Sequence, residues 1–179
     1  MKFTTYIPRL IHGLLDEDFD RRGQLSEFFM NQCEEVPEFV DSIAWTDEAQ
    51  FKFSGHVNRH NCVYWSVENP NFTIETQLNQ PGITVWAGVT SSGIIGPEFF
   101  DGTVTGANYL ERLQTSIIPV LQQREDFHTL YFQQNGAPPH YATAVRQYLD
   151  TVFPNRWIGR RGQIDFPPRS PDITPMDYI

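Results

Sequence analysis

Cysteine is nearly absent from this chain: Cys33 and Cys62 are the only two in 179 residues. They show no C-x-x-C spacing and are too few for a disulfide scaffold, so the expectation is reduced, buried thiols and an intracellular compartment. Long apolar runs are also missing. None approaches the roughly 18 residues needed to span a bilayer. The opening MKFTTYIPRLIHGLL is broken by Pro8, Arg9 and His12 and makes a poor signal peptide. Basic side chains are scarce as well, with 13 Lys and Arg against 22 Asp and Glu and a net charge of −9. Such a balance argues against a free-standing DNA-binding module, which would normally carry a basic face. It leaves room for an enzyme that reaches nucleic acid through a second domain. No internal repeat or low-complexity tract is found.

What is present suits one globular domain. Hydrophobic residues make up 40% and charged residues 20% of a length that can bury a real core. The negative charge is concentrated early: residues 1–50 hold 11 acidic and 4 basic side chains, a net of −7. An acidic stretch, Asp16 to Asp20, precedes an amphipathic helix expected over residues 23–35, with Leu25, Phe28, Phe29, Gln32 and Val36 on one face. Val36-Pro37 ends it. Short strands follow: Ser42 to Thr46, Ile83 to Val89 and Ile94 to Phe100, the last two joined by a Ser91-Ser92-Gly93 turn. Between them lies a polar hairpin region through Gly55, His56, Asn58, His60, Asn61 and Tyr64-Trp65. A helix over 107–122 carries Leu110, Leu113, Ile117 and Leu121, with a kink expected at Pro119. Thr129 to Gln133 returns to strand. Residues 141–152 are helical, with Val145, Tyr148, Leu149 and Val152 as the buried stripe. Strands first and then alternating helix and strand predict an α/β fold, a mixed sheet with helices on its faces.

Three positions place an acid or amide at the end of an element. Asp47, beside Glu48, closes the first strand; Asn135 closes a later one; Asp177 lies in Thr174-Pro175-Met176-Asp177, which reads as a helix start. Ligands of open sheets collect beyond the carboxyl ends of strands. Two carboxylates there and a third from a nearby helix would hold a divalent metal through hard oxygen ligands, and paired metals clamp the attacking and leaving oxygens of a phosphoryl displacement. Each residue also has a plainer reading. Asp47 and Asp172 can be turn formers, Asp177 a capping-box residue, and Asn135-Gly136 a turn dipeptide.

Three longer stretches narrow the choice. WTDEAQFKFSGHVNRHNCVYW, FQQNGAPPH and GRRGQIDFPPRSPDITPMDY, in that order, resemble the catalytic domain of mariner-type transposases of the DDE superfamily, over roughly Leu14 to Ile179. The resemblance implies an RNase H-like fold with a mixed five-stranded sheet flanked by helices. It implies Mg²⁺- or Mn²⁺-dependent cleavage and strand transfer, with transposon-end and target DNA as partners, a homodimer as an option, no membrane, and the nucleus as location. The family's three metal-ligating aspartates fall on Asp47, Asn135 and Asp177, with 41 residues between the last two. Arg156, Arg160, Arg161 and Arg169 cluster beside the third position and become candidates for DNA-backbone contact, as does His140. Solvated arginines and a histidine hydrogen-bonded near a helix start are the plainer readings. His56 and His60 have no spacing that suggests zinc.

The chain departs from the family pattern in three ways. QQNGAPPH carries Asn135 where the family has aspartate, and loss of one formal charge weakens cation binding and the field at the reacting centre. Residues 1–40 read as a connector with an amphipathic helix, ahead of a catalytic domain over 41–179, and no helix-turn-helix module precedes them. Asp177 stands two residues from the last residue, where a helix has no room to nucleate. The expectation is therefore a transposase catalytic domain with little or no transposition chemistry. The alternative is a host-recruited, non-catalytic module that binds nucleic acid or protein. A residually active nuclease, restored by deamidation at Asn135-Gly136, is a third reading.

Overall fold

The computed structural model describes residues 13–53 and 81–178; the polar hairpin region, with His56, Asn58, His60, Asn61 and Cys62, lies outside them. A helix, α1 (Asp16–Glu35), opens the described chain. It starts seven residues before the expected point, because the acidic stretch is its first turn. Asp16, Glu17 and Asp18 sit where the helix dipole favours negative charge. Asp18 also reaches back to accept the Leu15 N–H at 2.9 Å. Three strands follow: β1 (Ile43–Lys52), β2 (Gly82–Thr90) and β3 (Gly93–Phe100).

Next come α2 (Gly106–Arg112) and α3 (Ile118–Gln122), joined by a wide π turn over Leu113–Ile117. Pro119 lacks an N–H and its ring would crowd the carbonyl one turn back. The wide turn just before it absorbs that defect, so the anticipated irregularity appears as a bulge. Then follow β4 (Tyr131–Gln133), α4 (Thr143–Val152), β5 (Trp157–Gly159) and β6 (Ile164–Asp165).

The sheet is mixed, in the order β3-β2-β1-β4-β5-β6. Among the described residues it has six strands where five were expected, the extra one being the two-residue β6. β1 is antiparallel to β2 along its length but parallel to β4 only from Ile43↔Tyr131 to Trp45↔Gln133. Beyond Trp45 its far edge is released from β4. That is where Asp47 lies, inside a strand longer than the sequence suggested.

Side chains alternate across this sheet, as period-2 geometry requires. Ala44, Phe132 and Trp157 face α2, α3 and α4, where Tyr109, Leu113, Ile118, Leu121, Val145 and Leu149 complete one core. In α4, Val145 and Leu149 are buried, with Tyr148 and Val152 packed beside them. Ile43, Trp45, Tyr131 and Ile158 face the other way, onto Leu25, Phe28 and Phe29 of α1 and onto Phe39. Aromatic contacts knit that layer, with Phe39 and Tyr131 edge to face at 4.9 Å and Phe29 stacked with Trp45 at 6.1 Å. Val36, expected on the buried stripe, is exposed because the helix ends at Glu35.

Long-range ion pairs hold α1 to the last described segment. Arg169 grips the buried Asp18 with two hydrogen bonds of 2.6 and 2.7 Å. Arg22 pairs with Asp172, and Arg21 with Asp165.

Candidate active site

At the carboxyl end of β4, the chain passes into Gln134, Asn135 and Gly136 beside the released edge of β1. Thr46 fixes the two strands there: its hydroxyl donates to the Gln133 carbonyl at 2.7 Å. This brings Asn135 to Asp47 across 88 residues of sequence, and the amide Nδ2 donates to Asp47 Oδ1 at 2.7 Å. The amide Oδ1 accepts the Ala137 N–H at 2.9 Å. These partners settle which way the amide faces. The reverse orientation would set oxygen against a carboxylate oxygen and NH₂ against a backbone N–H. Asp47 Oδ1 also accepts its neighbour's N–H, from Glu48, at 2.8 Å.

Adjacent acids on a strand point to opposite faces, and Asp47 and Glu48 do so. Asp47 lines a shallow cavity of about 330 Å³ with Glu48, Ala49, Phe51, Val85, Ala87 and Met176. Glu48 turns to the helical face, where its Oε1 lies 3.0 Å from Nε2 of the buried His140. The other ring nitrogen of His140 lies 3.3 Å from the Asn135 carbonyl, so both ring nitrogens face oxygen acceptors. His140 packs on Tyr109 with ring centroids 4.5 Å apart. Gln134, also buried, accepts the Tyr109 hydroxyl at 3.1 Å and donates to the His140 carbonyl at 2.9 Å. Burial first, and the nearby Glu48 charge second, push the Tyr109 phenol well above its ordinary value; Asp47 adds to the effect. Hydrogen bonds among Glu48, His140, Gln134 and Tyr109 close the buried side of the centre.

The Asn135 atom facing Asp47 is a hydrogen-bond donor, and the amide oxygen that could ligate metal already accepts the Ala137 N–H. Among the described residues, no group of three His, Cys, Asp or Glu side chains converges as a metal-ligand set. The third expected position, Asp177, falls in a single 3-10 turn, Pro175–Tyr178, that packs against β1. Met176 of that turn reaches the Asp47 cavity.

No family model matches the chain. Over 142 residues it is 23% identical to the Tc3 transposable-element transposase of Caenorhabditis elegans, covering 76% of this chain and 39% of that protein. Among solved structures, a pre-cleavage Mos1 transpososome superposes with a TM-score of 0.72 at 26% identity, over 99% of this chain and 52% of the Mos1 chain. The Mos1 paired-end complex with the left transposon end gives a TM-score of 0.77 at 24% identity, over 99% and 51%. The chain resembles mariner-type transposases in sequence and in fold. It spans about half the length of those Mos1 chains and less of Tc3.

Within this domain the arginines separate into two groups. Arg156 is structural: its guanidinium donates to the Phe127 and Leu130 carbonyls at 3.0 and 2.6 Å and lies over the Phe153 ring. Arg169 is consumed by Asp18. Arg160 and Arg161 instead flank Tyr141, with guanidinium carbons 4.6 and 5.2 Å from the ring centroid. His140 is buried behind the candidate metal positions. Sequence reasoning missed the Glu48–His140 and Tyr109–Gln134 pairs. The sole available signal was polar residues, Gln133 and Gln134, continuing a strand that is otherwise core.

Proposed function

We propose that this chain is a mariner-type transposase catalytic domain, of the kind that acts on DNA ends, whose phosphoryl-transfer centre is silent. The observation that carries the reading is the 2.7 Å hydrogen bond from Asn135 to Asp47. Mariner-type relatives have been crystallised with Mg²⁺ and with Mn²⁺, and a carboxylate at position 135 would supply charge for such an ion. An amide supplies a donor instead. It satisfies Asp47 within the protein and lowers the centre's need for a cation.

The fold around the centre remains whole. The buried Gln134–Tyr109 and Gln134–His140 hydrogen bonds are made, and both faces of the sheet are packed. An intact core around a silent centre also supports the second reading, a recruited module that binds nucleic acid or protein without cutting.

The decisive experiment is calorimetry with Mn²⁺ and Mg²⁺, paired with a nicking assay on DNA bearing a transposon end. The natural chain should bind neither metal in the micromolar range and leave the DNA intact. Metal-dependent nicking by the natural chain, lost in Asp47→Ala, would overturn the reading.

A further inference from the structure

The geometry points to a phosphate clamp for the backbone of duplex DNA, built from Arg160, Arg161 and Arg146 around Tyr141 and independent of any metal. It rests on the reading of this chain as a domain that acts on DNA ends, and deepens it by naming the contact surface. The chain as a whole is acidic, and among the described residues Arg21, Arg22, Arg112, Arg124 and Arg169 are matched to carboxylates. The guanidiniums of Arg146, Arg160 and Arg161 are not in that set. They gather at one place instead. Arg146 Nε donates to the Tyr141 carbonyl at 3.1 Å, while Arg160 and Arg161 lie against the Tyr141 ring.

A local backbone feature supports the arrangement. Gly159 to Gly162 forms a tight turn closed by the Gly162 N–H on the Gly159 carbonyl at 2.9 Å. Arg161 occupies its third position with φ 60°, a left-handed conformation that favours glycine or asparagine. The flanking glycines are required by contact: a Cβ at Gly162 would lie 2.7 Å from the Trp157 ring, and one at Gly159 would lie 2.8 Å from it. The turn therefore lies flat on Trp157 and projects two adjacent arginines together. An arginine held in a glycine conformation, with no carboxylate partner among the described residues and half over an aromatic ring, is placed to take a ligand with fixed spacing of negative charge.

Position gives the ligand its identity. The clamp follows β5 and Asn135 follows β4, parallel neighbours whose carboxyl ends share one rim of the sheet. A Cβ at Gly136 would lie 3.5 Å from Cδ of Arg160, so Arg160 lies beside the Asn135 loop. Tyr141 is next in sequence to His140, which faces the Asn135 carbonyl. A phosphodiester held by Arg160 and Arg161 would run past Asp47 and Asn135. Tyr141 acts as a positioning residue: its ring pre-orients the guanidiniums and does not touch the phosphate.

The test is fluorescence anisotropy of the full chain with a labelled DNA duplex in excess EDTA, at salt from 50 to 300 mM. The natural chain binds, and Arg160→Ala with Arg161→Ala weakens it by about tenfold per guanidinium. The salt dependence should also flatten by about 1.8 in log–log slope, for two lost phosphate contacts. Arg160→Lys with Arg161→Lys keeps the slope while losing affinity, because charge remains but the planar fork does not. Arg124→Ala, outside the clamp and already paired with Asp126, leaves both affinity and slope unchanged. Unchanged affinity and slope in the Arg160→Ala/Arg161→Ala variant overturns the clamp, as does a natural chain that fails to bind at the lowest salt. Tighter binding of single-stranded DNA or RNA than of duplex overturns the choice of ligand. Metal calorimetry reports on the silent centre separately, so either idea can fail while the other stands.

Discussion

Asn135→Asp converts the hydrogen bond at the centre into a contact between two carboxylates. Left in place at 2.7 Å, two full charges repel by about 6 kcal/mol at an effective dielectric of 20, or about 1.5 kcal/mol in bulk water. The half-exposed site and side-chain rotation favour the lower end, and the lost charge-assisted hydrogen bond adds about 1.5 kcal/mol. A net destabilisation of about 2 kcal/mol is reasonable after a proton is shared between the carboxyls. In a domain of this size that lowers Tm by about 4–8 °C in EDTA. The same pair should bind a divalent cation, and a hundredfold excess over Kd returns about 2.7 kcal/mol, or about 5–10 °C. The assay is differential scanning fluorimetry of both proteins in EDTA, Mg²⁺ and Mn²⁺. The natural chain should shift by less than about 1 °C in all three, and the variant should fall in EDTA and recover with Mn²⁺. A variant that is equally stable without metal and indifferent to it would refute the placement of Asn135 opposite Asp47. A natural chain with the variant's metal response would refute the silent centre.

Other outcomes follow from the same coordinates. Phe132→Ala and Leu149→Ala, both fully buried in the helical-face core, should cost about 2–5 kcal/mol each by chemical denaturation. Tyr109→Phe leaves the buried Gln134 acceptor without its donor and should cost about 1–3 kcal/mol, with a wild-type far-UV spectrum. Gly162→Ala forces a methyl into the Trp157 ring; a lower Tm with altered tryptophan fluorescence is the expected reading. Arginine partners hold the carboxyls of Asp18, Asp126 and Asp172 below 3.8. Their contribution to stability is present above that value and lost as pH falls through the depressed ones. Acid melts of Asp18→Asn should show a smaller loss between pH 5 and 2 than the natural chain.

Local pattern was enough for the elements that depend on local pattern. The apolar alternation of Ile83 to Val89 and of Ile94 to Phe100, with the turn between, became β2 and β3. The stripe of Val145 and Leu149 became the buried side of α4. Asn135 was legible only because flanking motifs resemble a family; its own dipeptide reads as a turn. What stayed hidden depended on distant partners. Nothing near Arg169 reveals that its guanidinium is taken by Asp18, 151 residues away, or that Arg156 is spent on the carbonyls of Phe127 and Leu130. Asp47 and Glu48 look equivalent as letters. Only the fold shows that one accepts from Asn135 and the other serves His140. β6 is two residues long and has no periodicity to read.

The grip of Asp165, Asp172 and Arg169 on α1 has a consequence for how the chain is made. Helix α1 leaves the ribosome before the sheet it packs on, and its three ionic partners lie 144 to 151 residues later. At ordinary synthesis rates of 5–20 residues per second, the wait is about 7–30 s. During that interval Leu25, Phe28 and Phe29 have only Phe39 and β1 to cover them until β4 and β5 emerge, and Asp18 lacks Arg169. The nascent helix is thus a candidate client for chaperones, and docking of the two ends is expected to be the last step that commits the domain to its fold.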